Sequence, residues 1–116
     1  MRLALLPALV GCAALALAGC ARGPAGCGPA EAQVANASAM AVEQFYLAPM
    51  GEAWGADRFD QAGLAAGASR PVRLAGGAGP LAMRVVWADG RAAELPGIDG
   101  CTSRRLLILD GGLRAE

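Results

Sequence analysis

The chain has 116 residues, with ten arginines balanced by ten acids, no lysine and no histidine. Such a length supports one small domain. The missing histidine excludes Ser-His-Asp and Cys-His devices and imidazole metal sites, and the missing lysine excludes a Walker lysine or a Schiff-base amine. Hydrophobic residues make up 55%, but 28 of them are alanine and only five are Phe, Trp or Tyr, so core material consists mainly of small side chains.

Residues Leu3 to Ala21 carry no charge and follow Arg2, which with the free amine forms a minimal positive n-region. The apolar stretch Leu3 to Leu17 ends in Leu17-Ala18-Gly19-Cys20, an aliphatic residue, two small residues and a cysteine. That is the pattern of a bacterial lipobox, in which a peptidase takes the small residues in extended form and the Cys20 thiol receives the lipid. Cleavage after Ala18 by ordinary signal peptidase, a membrane span over the same run, and the second lipobox-like string Leu9-Val10-Gly11-Cys12 are the competing readings. The span reading is weakened by Pro7 and by the richness in Ala and Gly, and the second string leaves too short an apolar region. The expectation is a signal peptide over 1–19, lipidation at Cys20 and a membrane-anchored envelope protein. Ala21 rather than Asp after the cysteine accords with an outer-membrane destination where the host has one.

Cleavage before Cys20 leaves Cys27 and Cys101 as the remaining thiols, an even number in an oxidising compartment. They either pair as a disulfide or remain separate thiols, since Cys27 lies in a segment with no fixed place. Residues 20–35 read as the lipidated N-terminus and a flexible tether, because Arg22 to Pro29 has two prolines and no apolar periodicity. Ala30 to Ala41 is alanine-rich and suggests a helical turn, cut short by Asn36 and Ser38. Asn36-Ala37-Ser38 also matches a glycosylation acceptor pattern, a coincidence behind a bacterial lipobox.

From Met40 the period is two. Met40 and Val42 alternate, then Phe45 and Leu47 on the shifted phase, which predicts a β-bulge at Glu43-Gln44 and a strand ended by Pro49. Val72 and Leu74 mark a second strand; Met83, Val85 and Trp87 a third. Asp89-Gly90 predicts a type I′ hairpin turn leading into a fourth strand over Arg91 to Leu95, closed by Pro96-Gly97. Leu106 to Leu109, four consecutive apolar residues, predicts a central strand buried on both faces. About five short strands or more without a convincing helix make a small antiparallel β-sandwich or open barrel over 36–116.

Asn36-x-Ser38, Val42-Glu43-Gln44-Phe45-Tyr46-Leu47-Ala48-Pro49 and Trp54-Gly55-x-Asp57-Arg58-Phe59 together resemble a small β domain of bacterial secreted proteins. Its general form is N-x-S/T-G-x-x-I-x-x-L-Y-x-S-P-S followed by W-G-x-D/N-x-L. Gly67 to Leu74, Arg84 to Gly90 and Gly97-Ile98-Asp99-Gly100-Cys101 resemble its later strand, hairpin and G-V-D-L-C ending, so the likeness runs from Asn36 to Leu109. The resemblance implies a β-sandwich and no activity. The chain departs from it at Ala48 and Met50, where members carry hydroxyl residues, and near Gly79, where many carry a cysteine able to pair with the one at Cys101.

The Trp54 loop is the candidate binding loop, with Glu52, Asp57 and Asp60 close in sequence. Three carboxylates suit Ca²⁺ or, at fixed separation, a glycosidase pair, but the spacing is not that of an EF-hand and nothing in the sequence places them at either glycosidase separation. The loop is therefore expected to be structural, with no metal and no cofactor, and Trp54 to form a buried lid over one end of the sandwich. Arg70, Arg73, Arg84, Arg104 and Arg105 all fall on predicted strands and at alternate positions would form a basic face for an anionic partner; a solvated sheet face is expected instead, since nine arginines against ten acids after cleavage create no basic field and no nucleic-acid partner. The function expected is a non-enzymatic envelope module, binding or structural, with an envelope protein or a polysaccharide as partner. The alternative is a small enzyme accessory, or an inhibitor of a secreted hydrolase, using Glu52, Asp57 and Asp60.

Overall fold

The computed structural model describes residues 26–77 and 79–116; the signal segment and Cys20 lie outside the described residues. Seven strands follow in chain order: β1 (Ala30–Asn36), β2 (Val42–Pro49), β3 (Ser69–Leu74), β4 (Leu81–Trp87), β5 (Ala92–Ile98), β6 (Arg105–Leu109) and β7 (Gly112–Ala115). They form two sheets, ordered β3-β1-β6-β7 and β2-β4-β5. All pairings are antiparallel except β1 with β6, which is parallel. The fold is a small all-β sandwich.

Alternation sends one side of each strand into the shared core. Val34, Phe45, Leu74, Met83, Val85, Leu106 and Ile108 are completely buried there, and Trp87 nearly so. Phe45 and Phe59 stack at 5.1 Å between centroids. As expected from its continuous apolar run, β6 lies inside its sheet, with Leu106 and Ile108 in the core and Leu107 buried on the other face.

Three local expectations are corrected. The segment read as the end of a tether and as a helical turn is β1, an interior strand, so the folded unit starts before residue 36. Ala32 and Val34 point into the core between the strands carrying Val72 and Leu106, and that burial outweighs the modest helix preference of alanine. The β4–β5 hairpin is not type I′: Gly90 has φ 90° but Asp89 is not in the left-handed region. Gly90 N–H donates to Trp87 O and Trp87 N–H to Arg91 O, so a turn is closed by one left-handed glycine. Pro96-Gly97 does not end β5; two residues there face one on β4, because Leu81 pairs with Ile98 and Met83 with Leu95. The last apolar run turns at Asp110-Gly111 into β7, whose Leu113 and Ala115 pack on the core. The bulge expected at Glu43 is present, as a register shift between Val42 and Gln44.

Cys27 and Cys101 form a disulfide that ties the chain entering β1 to the β5–β6 loop. Gly77 N–H donates to Cys27 O, and a Cβ on Gly76 would collide with that same carbonyl oxygen and with Gly28. Only glycine at residue 76 allows the two segments to lie so close.

Candidate functional site

β2 is an edge strand, and an edge exposes unpaired backbone groups that invite another strand. The loop that returns from Met50 covers it. Val42 and Leu64 exchange two backbone hydrogen bonds, Arg58 N–H donates to Phe45 O, and the Arg58 guanidinium donates to Leu47 O and to Arg73 O of the opposite sheet. The loop thus seals β2 and links it to β3. Phe59 enters the core from this loop, and Arg70 lies 5.1 Å over its ring.

Asp57 organises the loop. Its Oδ1 accepts from Phe45 N–H and Phe59 N–H, each at 2.9 Å, and its Oδ2 accepts from Gln61 N–H at 3.1 Å. These bonds hold Asp60 and Gln61, two non-glycine residues with φ of 50° and 67°, in the left-handed region. Partial burial pushes the Asp57 carboxyl up. The three backbone donors, with the charge of Arg70 behind them, outweigh it and hold the group below the ordinary aspartate value. A carboxylate that is ionised and engaged on both oxygens is unsuited to act as a general acid at neutral pH.

The other acids of the loop do not join it. Glu52 and Asp60 are both exposed, and among the described residues no three acidic or cysteine side chains converge as metal ligands. A groove of about 480 Å³ runs beside Asp57, lined also by Glu43, Gln44 and Gln61, and opens broadly to solvent.

Trp54 is not the expected buried lid. It is half-buried and packs on Tyr46, with centroids 6.5 Å apart and rings tilted by 54°. Tyr46 lies between core-facing Phe45 and Leu47 and so points to the outer face of the β2-β4-β5 sheet. The core tryptophan is Trp87. The physical reason is loop position: Phe59 already occupies the core place next to Phe45, leaving Trp54 to the sheet exterior.

The five arginines do not share one face: Arg73 and Arg105 lie on the outer face of the β3-β1-β6-β7 sheet, and Arg84 lies on that of the other sheet. Arg84 bonds Glu94 at 2.6 Å on the outer face of one sheet, while Arg105 bonds Glu116 at 3.3 Å on the other. Arg104 precedes β6 and donates to Ser103 O, and Arg70 is engaged by Phe59.

A polar cluster not singled out as a site is the most completely buried. Asn36 Nδ2 donates to Met40 O and Leu64 O, while its Oδ1 accepts from Ser38 N–H and the Ser38 hydroxyl. Trp87 Nε1–H donates to Ser38 Oγ at 3.1 Å. The Asn36-Ala37-Ser38 tripeptide is a latch between the sheets, and its amide nitrogen has no free face for a glycan.

Replacing Asp57 tests the loop reading. Asp57→Ala removes three charge-assisted bonds and is expected to lower unfolding free energy by about 3 kcal/mol, measured by urea denaturation. Because the folded carboxyl titrates below the unfolded one, its contribution is complete above the unfolded value and disappears as pH falls through the folded value. Asp57→Asn keeps an acceptor at Oδ1 but not the charge. Its stability should therefore change less than the wild type's between pH 5 and pH 2 (about 2 to 5 spans the aspartate range).

No family model, curated protein or solved structure matches this chain.

Proposed function

We propose that the chain is a bacterial envelope lipoprotein, acylated at Cys20, whose β-sandwich is a non-enzymatic binding module. One observation supports the module reading: Asp57 is engaged on both oxygens by backbone amides, while Glu52 and Asp60 are exposed and do not converge with it. What the same loop leaves partly open to solvent is an aromatic pair on a sheet face. A disulfide suits an oxidising compartment, and the Leu17-Ala18-Gly19-Cys20 string supports delivery to the outer side of the cytoplasmic membrane. Among the described residues no helix is long and apolar enough to cross a membrane.

The disulfide shortens the tether. With Cys27 clamped to the domain, the spacer from an acylated Cys20 is the stretch 21–26, which spans at most about 25 Å when fully extended. The domain is therefore held near the head groups.

Growth with labelled palmitate, followed by immunoprecipitation, tests the anchor. Label is expected in the wild type and absent from Cys20→Ala; label retained in the variant refutes acylation at Cys20. An envelope extract passed over the immobilised protein, with assay of the retained and released material for cleavage, tests the module. Specific retention without turnover is the expected result.

A further inference from the structure

We propose that the outer face of the β2-β4-β5 sheet is a saccharide-binding strip that takes a short run of uncharged hexopyranose rings. This rests on the binding-module reading and names the ligand class for it. The strip follows from register. Tyr46 lies opposite Arg84, and Arg84 opposite Glu94, all pointing away from the core. Trp54 continues the row beyond Tyr46. Neighbouring strands are about 4.8 Å apart, so from Trp54 to Glu94 the row is on the order of 16 Å long, room for about three pyranose rings laid across the strands. Its neighbours on the same face toward the Pro49 end of β2 are Ala48, which is buried, and Ala82, which is half-buried, so the open part of the face is the row itself.

The chemistry of the row matches a sugar better than other ligands. A pyranose presents an apolar C–H face and a rim of hydroxyls; an aromatic side chain with a polar edge and a fixed donor–acceptor pair is the complement. Trp54 and Tyr46 supply the rings. Arg84 and Glu94 supply donors and acceptors, held to each other at 2.6 Å while their side chains stay 33% and 52% exposed. Gln44 Oε1 accepts the Tyr46 hydroxyl at 2.8 Å, which orients the phenol and leaves the Gln44 amide N–H groups for a ligand.

Charge and apolar content separate the ligand classes. The Arg84–Glu94 pair is neutral as a unit, so the row offers no excess positive charge for a polyanion. A protein partner would be met by an apolar centre. On the other side of the row this face carries Val86, half-buried between Gln44 and Ala92, and the large hydrophobic side chain that stands exposed among the described residues, Met50, lies beyond the end of β2.

Calorimetric titration of the full chain in detergent micelles tests the strip, using tri-N-acetylchitotriose and cellotriose as neutral probes and a heparin hexasaccharide as the anionic one. Saturable binding of at least one neutral trisaccharide in the micromolar to millimolar range is expected. Trp54→Ala should weaken it by at least about tenfold, and Glu94→Ala, at an exposed position that leaves the core intact, by about threefold or more. Thermal melts confirm that each variant is folded. Absence of saturable binding to both neutral sugars, preference for heparin, or unchanged affinity in both variants overturns the saccharide assignment. If an envelope protein is then retained by the wild type and not by Trp54→Ala, the module reading stands while the ligand class is wrong. If nothing is retained, both readings fail.

Discussion

Asn36→Ala is expected to be the most damaging single polar substitution in the domain, lowering unfolding free energy by about 4 kcal/mol. The side chain is 1% exposed and uses its full capacity, two amide donors and a doubly engaged oxygen. Truncation leaves the buried Ser38 N–H without its acceptor and opens a cavity between the sheets. Leu64 O keeps the bond from Val42 N–H, so the loss is not the sum of four bonds. For a domain of this size, the melting temperature should fall by about 15 °C or more. Ser38→Ala should cost less, since it chiefly strands the Trp87 indole N–H. The double variant should be less destabilised than the two singles added together, because both belong to one network. A loss below about 1 kcal/mol in Asn36→Ala would refute the latch.

Removal of the Cys27–Cys101 bond has the second large effect. The bond joins residues 74 apart in sequence, and closing a loop of that length is worth up to about 4 kcal/mol in the chain-entropy description. Against a net stability of roughly 5–15 kcal/mol, that is a substantial share of the total. Denaturant unfolding of the Cys27→Ser, Cys101→Ser double variant measures it. The loss has a local signature as well. Gly77 N–H donates to Cys27 O, and its amide exchange should accelerate once the strap is free, whereas Asn36 N–H, bonded to Ala68 O at the far end of β1, should stay protected. Equal acceleration at both would show that the bond supports the whole sandwich rather than one end.

The two effects mark the division between what the residue order encodes locally and what it does not. The alternation of Phe45 with Leu47, and of Met83 with Val85 and Trp87, announces half-buried strands because side chains alternate faces along any extended backbone. The bulge at Glu43 was legible for the same reason: one extra residue shifts the phase, and the shift appears in the sequence itself. Leu106 to Leu109 announced an interior strand because only burial on both faces accommodates an unbroken apolar run.

β1 had no such signature. Ala32 and Ala35 read equally well as helix, and only the presence of β3 on one side and β6 on the other makes the segment an interior strand. The helix preference of alanine is a few tenths of a kcal/mol per residue, less than what burial between two strands contributes.

The candidate site divides in the same way. That Trp54 and the carboxylates Glu52, Asp57 and Asp60 share a loop follows from the sequence alone. Which of them is structural was decided by tertiary structure, because the partners of Asp57 include the backbone N–H of Phe45, and every residue type except proline offers that donor. Asn36 and Ser38 are identified as a latch only by Trp87, 49 residues beyond Ser38. The outward row from Trp54 through Tyr46 and Arg84 to Glu94 required the register of three strands. Residue order determined the all-β class and most of the strands, because backbone period is a local property. Tertiary structure decided the start of the folded unit, the pairing of Cys27 with Cys101 and the exposure of Trp54, because each depends on groups that meet only after the sheets have packed.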